Sequence, residues 1–102
     1  MPRYRLTQRA RRDPLAVWNH IAEDSELHAV RFIDRLMKSI GPLGENPYIG
    51  RRREHDLRTG LYSFPVEKYV ILDRIDGEDA VWILHVVHGS RDLPELLSHR
   101  KG

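Results

Sequence analysis

A helical hairpin packed on a small antiparallel sheet, an α+β fold in the order β-α-α-β-β-β, is predicted by three stretches of different hydrophobic rhythm. Between Leu15 and Ile40 apolar residues recur at three- and four-residue intervals, the period of a helix face. From Leu61 to His88 the period drops to two, and β-branched and aromatic residues dominate, as in strands. Between them, Pro42 to Thr59 is rich in proline, glycine and arginine without any period, which predicts a long ordered loop. A chain of 102 residues with 40% hydrophobic content supports one core, so a single domain over 1–102 is expected.

Each element has its own local reason. Residues 3–6 read as a short strand closed by Thr7, which can cap a following turn. Asp13-Pro14 predicts the start of the first helix, with Asp13 as N-cap and Pro14 at the first helical position, where its missing donor costs nothing. That helix carries Leu15, Trp18, Ile21 and Ala22 to about residue 24, and residues 8–12 form a separate turn or a kinked extension. Ser25 caps a second helix bearing Leu27, Val30, Ile33, Leu36, Met37 and Ile40, and Gly41-Pro42 is expected to stop it. Two helices joined so tightly fold back as a hairpin.

Strands are expected over 61–66, 69–75 and 81–88, separated by Glu67-Lys68 and by the 76–79 turn, an antiparallel meander. Pro65 cannot donate to a ladder, which places the first of these strands at an edge or ends it early. Asp92 to Leu97 is expected to form one capped helical turn. The 81–87 strand is apolar on both faces, and the hairpin stripe (Trp18, Ile21, Val30, Ile33, Leu36, Met37) covers only one. The other is therefore expected to stay partly open in the free chain and to need the Leu93–Leu97 segment, a partner, or both.

Composition narrows the function classes. The absence of cysteine excludes disulfides, thiolate zinc sites and a Cys nucleophile. No phosphate-binding glycine loop or Gly-x-Ser-x-Gly turn occurs, so no cofactor is expected. With no apolar stretch of the ~18 residues a membrane span requires, a soluble cytoplasmic protein without membrane association is expected. The formal net charge of +2 conceals an uneven distribution: five of the first twelve residues are arginine, and Arg51, Arg52, Arg53 and Arg58 flank the middle loop. Arginine outnumbers lysine 14 to 3, a bias toward planar contacts with carboxylate or phosphate. A solvated surface that pairs with Glu54 and Asp56 accounts for the loop cluster as well as an acidic partner or nucleic acid does.

His85 and His88 lie three apart in a strand, point to opposite faces and cannot share a metal. His88, Arg91 and Asp92 are expected to meet through the Gly89 turn, with Asp92 orienting either partner. Glu23, Asp24 and Glu26 form an acidic patch at the hairpin tip, which the second helix's dipole favours.

Read together, Leu6-Thr7 with Ala10 and Asp13, the Trp18-x-x-Ile21-Ala22 and Phe32-x-x-x-Leu36 faces, and Pro47-x-x-Gly50-Arg51 form an ordered series. It continues through Gly60-Leu61-x-x-Phe64-Pro65-Val66, Tyr69-x-Ile71 and Val87-His88-Gly89-x-Arg91-Asp92-Leu93. This series resembles the ParE branch of the ParE/RelE superfamily of bacterial type II toxins, from about Tyr4 to Leu97. One departure is Asp13-Pro14, where the family more often continues through Asp-Leu. The resemblance implies a ParE/RelE-like fold and a toxin neutralised by a ParD-like antitoxin in a hetero-oligomeric complex. It also implies inhibition of DNA gyrase by binding, without catalysis. The superfamily's nuclease branch, similar to RelE, is implied to use Lys and Arg on the sheet and a C-terminal Tyr. Here Val70 follows Tyr69 where that branch has an Arg, and Leu96 or Leu97 stands where a Tyr is expected.

Three readings follow: a binding toxin, a ribosome-dependent mRNA endoribonuclease of the same fold, and a basic nucleic-acid-binding module. The first leads. Its candidate contacts with target or antitoxin are Arg51, Arg52, Arg53, Arg58, His88, Arg91, Asp92, Leu93, Leu96 and Leu97, and no catalytic, cofactor or metal residue is assigned.

Overall fold

The computed structural model describes residues 4–46, 48–53, 60–75 and 81–94. Two helices pack on a five-stranded mixed sheet, in the element order β1 (Tyr4–Leu6), α1 (Gln8–Ala22), α2 (Glu26–Glu45), β2 (Arg51–Arg52), β3 (Leu61–Val66), β4 (Tyr69–Ile75) and β5 (Val81–His88). The strands lie in the order β1-β5-β4-β3-β2. The meander β3-β4-β5 is antiparallel as expected, with the expected bounds. Two features extend the expected antiparallel meander to a five-stranded mixed sheet. β1 pairs parallel to β5, with Leu6 opposite Ile83. The loop contributes β2, antiparallel to β3 with Arg51 opposite Ser63.

Gly50 admits that last pairing, because a Cβ there would lie 2.9 Å from the Ser63 carbonyl oxygen. β2 opposes only Tyr62 and Ser63, so Pro65 faces no strand on that side, and the missing donor is tolerated inside β3.

Both helix boundaries built on proline are also corrected. α1 begins at Gln8, not at Asp13: Thr7 is the N-cap, its hydroxyl oxygen accepting from Ala10 N at 3.1 Å, and Pro14 lies inside the helix. Thr7 is itself anchored on β5, donating through Oγ1 to the Leu84 carbonyl at 2.9 Å and through its N–H to the Ile83 carbonyl at 3.1 Å. That attachment holds the first turn helical upstream of the proline.

Ser25 caps α2 as expected, accepting from His28 N. The helix then passes through Gly41-Pro42 to Glu45 because Leu43 and Gly44 bury against the fold. Burying one leucine stabilises by about 2 kcal/mol, which offsets much of the proline penalty. Pro42 is exposed, and the final turn closes through Asn46 N donating to the Pro42 carbonyl at 2.8 Å.

The core between helices and sheet is built from Phe32, Leu36, Ile40 and Leu43 of α2 and Ala10 and Val17 of α1, over Val66, Tyr69, Ile71, Val81, Ile83 and Val86. The expected stripe is thus rotated: Leu36 is 0% exposed, whereas Val30 and Met37 are 56% and 47% exposed and cover nothing. The opposite sheet face is covered in part by the C-terminal segment, one of the expected alternatives, while Val70, Trp82 and Leu84 stay half-buried. Leu72 and Val87 are buried there in one cluster with Leu93, with Val70 packed against it. Among the described residues no helix is long and apolar enough to cross a membrane.

Candidate functional site: a groove at the open end of the sheet

The sheet's regular ladder breaks once. Leu72 faces His85 and Asp73 faces Ile83, so Leu84 has no cross-strand partner and β5 bulges. Thr7 and α1 reach the strand at the bulge and two residues beyond it. Thr7 donates to the Leu84 carbonyl, and Asp13 Oδ2 accepts from Val86 N at 2.8 Å. Asp13 also faces Arg9 Nε at 3.6 Å and His85 Nδ1 at 3.7 Å. His85 is buried, and neither ring nitrogen makes a hydrogen bond. In the same ladder, Asp73 is fully buried and neither carboxylate oxygen has a hydrogen-bond partner among the described residues, and burial pushes its pKa up to about 7. Sequence reasoning missed the roles of Asp13 and Asp73. The signal was present for Asp73, a lone acid in the apolar run Tyr69–Ile75.

Beyond the bulge β5 delivers His88 to the end of the sheet. Its ring stands edge-on to Tyr69 at 5.1 Å, and Tyr69 in turn meets Phe32 at 5.0 Å. Burial raises the Tyr69 pKa, keeping the phenol protonated. The expected trio of His88, Arg91 and Asp92 is replaced, as regards His88, by a pair with Ser90: Nδ1 lies 2.8 Å from Ser90 Oγ and accepts from Ser90 N at 3.1 Å. Adjacency decides this, because the turn closed by Arg91 N donating to the His88 carbonyl folds Ser90 back onto the ring.

Two connected depressions open here. One, of about 410 Å³, runs from Arg9 and His20 of α1 to Ser90 and Arg91. The other, of about 250 Å³, reaches the hairpin tip at Asp24 and His28 and the β3–β4 turn at Glu67 and Lys68. They share His20, Tyr69 and His88. Glu67 adopts φ +55°, a left-handed backbone unusual for a non-glycine residue, and its carboxylate reaches Arg35 of α2 at 3.4 Å.

The remaining expected contacts fall elsewhere. Arg51 and Arg52 are exposed on edge strand β2, across the sheet from the groove. Arg53 turns inward, donating through Nη1 to Ser63 Oγ at 3.1 Å and through its backbone to the Leu61 carbonyl. Leu93 is buried in the second cluster and so acts as core instead of a free contact. Asp92 is exposed. Arg58, Leu96 and Leu97, the 76–79 turn, the Glu54 and Asp56 pairing and the end of the expected C-terminal helical turn lie outside the described residues.

The pattern of the family described as ParE toxin of type II toxin-antitoxin system, parDE, matches residues 4–93. Toxin ParE3 of Caulobacter vibrioides is 35% identical over 68 residues, which span 67% of this chain and 66% of that protein. Among solved structures, a chain of the chromosomal ParDE TA system from P. aeruginosa has a TM-score of 0.69. The match covers 83% of this chain and 92% of that one, and its 18% identity speaks for the fold alone. A chain of the toxin-antitoxin complex RelBE2 from Mycobacterium tuberculosis has a TM-score of 0.60 at 30% identity, covering 86% of this chain and 99% of that one.

Proposed function

This chain belongs to the ParE toxin family of type II toxin-antitoxin systems, and we propose that it acts by binding and not by catalysis: it inhibits DNA gyrase in the cytoplasm and is neutralised by a ParD-like antitoxin. The observation that carries this reading is the family match across residues 4–93 joined to the character of the sheet. Val70, where the nuclease branch has an Arg, packs against Leu72, Val87 and Leu93. An apolar face of that kind offers no charge to a phosphate in a cleavage transition state. An antitoxin partner is supported by the solved relatives, one from a ParDE system and one from a RelBE2 toxin-antitoxin complex.

Induced expression without antitoxin, with DNA and protein synthesis followed separately, tests the proposal. Early loss of DNA synthesis and inhibition of supercoiling by purified gyrase are expected, both reversed by coexpressed or added antitoxin. The likeness to the RelBE2 chain at 30% identity favours one second reading, a ribosome-dependent ribonuclease. Early loss of protein synthesis with cleavage of ribosome-bound mRNA would select it.

A further inference from the structure

The two adjoining depressions combine an apolar floor with cations that have no ion-pair partner among the described residues. Val17 and Val86, both buried on the helix-facing side of the sheet, form the floor. Of the acids lining them, Asp13 of the larger is engaged by Val86 N and Arg9, and Glu67 of the smaller by Arg35 and, at 3.9 Å, His28. Asp24 lies at the far end, on the hairpin tip. Arg91, exposed at the rim, and Lys68, on the neighbouring turn, have no ion-pair partner among the described residues.

The turn that presents Arg91 is fixed by His88. A backbone N–H can only donate, so the bond from Ser90 N requires Nδ1 to be the unprotonated nitrogen and places the ring proton on Nε2. Ser90 Oγ–H then donates to the same atom. Gly89 N donating to the Lys68 carbonyl at 2.8 Å ties this turn to the one that carries the second cation.

We infer that the groove formed by the two depressions docks an acidic peptide segment, one apolar side chain resting on Val17 and Val86 and flanking carboxylates paired with Arg91 in the larger depression and Lys68 in the smaller. His88 is a positioning residue that holds the Ser90–Arg91 turn. A nucleic acid strand fits the groove less well. Tyr69 is 8% exposed and its ring is enclosed between Phe32 and His88, so no flat aromatic face is offered to a base. The inference rests on the binding reading above only in taking the occupant to be protein. It does not depend on gyrase being the target.

The test titrates the isotope-labelled full chain with an acetylated, amidated pentapeptide carrying one leucine between two pairs of glutamates, followed by backbone amide shifts. Saturable shifts are expected at Val17, His20, Val86, Ser90 and Arg91, and the same peptide with glutamines should bind more weakly. Arg91→Ala should lower affinity about fivefold, near the upper end of what an exposed ion pair supplies. His88→Ala should lower it comparably, whereas His88→Asn, whose amide oxygen can accept the Ser90 N–H, should retain it. Absence of saturable shifts, equal binding of the glutamine peptide, or an unchanged affinity in Arg91→Ala overturns the assignment. So does saturation of the groove by a deoxythymidine oligomer with the acidic peptide inert. Toxicity is not part of this readout, so a failed gyrase assay leaves it standing, and a failed titration leaves the gyrase reading standing.

Discussion

Asp13 and Asp73 are both withdrawn into the same domain, and the bulge in β5 lies between their two environments. Asp13 leans from α1 onto the bulged strand and accepts from Val86 N, two residues beyond the bulge. Asp73 sits on β4 opposite Tyr62 and Ile83, itself beside the register shift, and neither carboxylate oxygen has a hydrogen-bond partner among the described residues. The difference teaches that a carboxylate withdrawn from solvent here contributes to the fold only where a backbone donor lies within its reach. Elsewhere the same side chain is driven toward its neutral form.

The largest expected effect follows from Asp73. The folded protein keeps a proton on this carboxyl up to about pH 7, whereas the unfolded chain releases it near 3.8. Between those values the folded state binds more protons, so stability falls as pH rises. This group's stabilising protonation is fully present below about pH 4 and lost as pH passes through about 7. The loss amounts to about 4 kcal/mol across the window. Asp73→Asn stays neutral throughout and should remove that slope, becoming the more stable protein at pH 8. Urea denaturation of both proteins at pH 4.5, 6 and 8 checks this. Parallel curves would place a donor beside Asp73 and end the contrast with Asp13.

How much of this was legible in the sequence depends on how far each residue's partner lies along the chain. β3, β4 and β5 were readable to the residue because alternation and turn chemistry are local. Ser25 was readable for the same reason, its acceptor role reaching only to His28. Thr7 was legible as the cap of a following turn but not as the start of the whole of α1, because its decisive partners, Ile83 and Leu84, are 76 and 77 residues away. Asp13-Pro14 meanwhile carries a strong local start signal. Pro42 misled in the same manner: the burial of Leu43 that carries α2 onward is tertiary. β2 was invisible because a two-residue strand has no period. At the groove, His88 and Arg91 were legible as polar residues ending an apolar strand. Ser90 was not, since its role appears only once the turn folds it onto the imidazole.

A smaller effect tests the satisfied half of the contrast. Asp13→Ala leaves Val86 N without an acceptor at a partly buried position, a loss of about 2 kcal/mol. The gain in helix propensity returns a few tenths of that. Asp13→Asn keeps an oxygen that can accept the same N–H and should cost less than half as much. Equal losses in the two variants, measured by chemical denaturation at one pH, would show that charge and not the Val86 acceptor is what the bulge requires.

The smallest expected effect separates the bulge from the helix it supports. Thr7 does two things with one hydroxyl: the oxygen accepts from Ala10 N, and the proton goes to the Leu84 carbonyl. Thr7→Val retains shape and removes both, and a lost N-cap alone costs about 1 kcal/mol. Thr7→Ser retains both and should lie within about 0.5 kcal/mol of the parent, the range of changes that leave no group unpaired. The two roles part in hydrogen exchange. Loss of the cap should speed exchange at Ala10, the amide it accepts. Loss of the bulge contact should speed it at Val86, because Asp13 reaches that amide from the same helix. Faster exchange at Ala10 with Val86 unchanged would mean that Asp13 holds the bulge alone, and that β5 tolerates its irregularity through a single carboxylate.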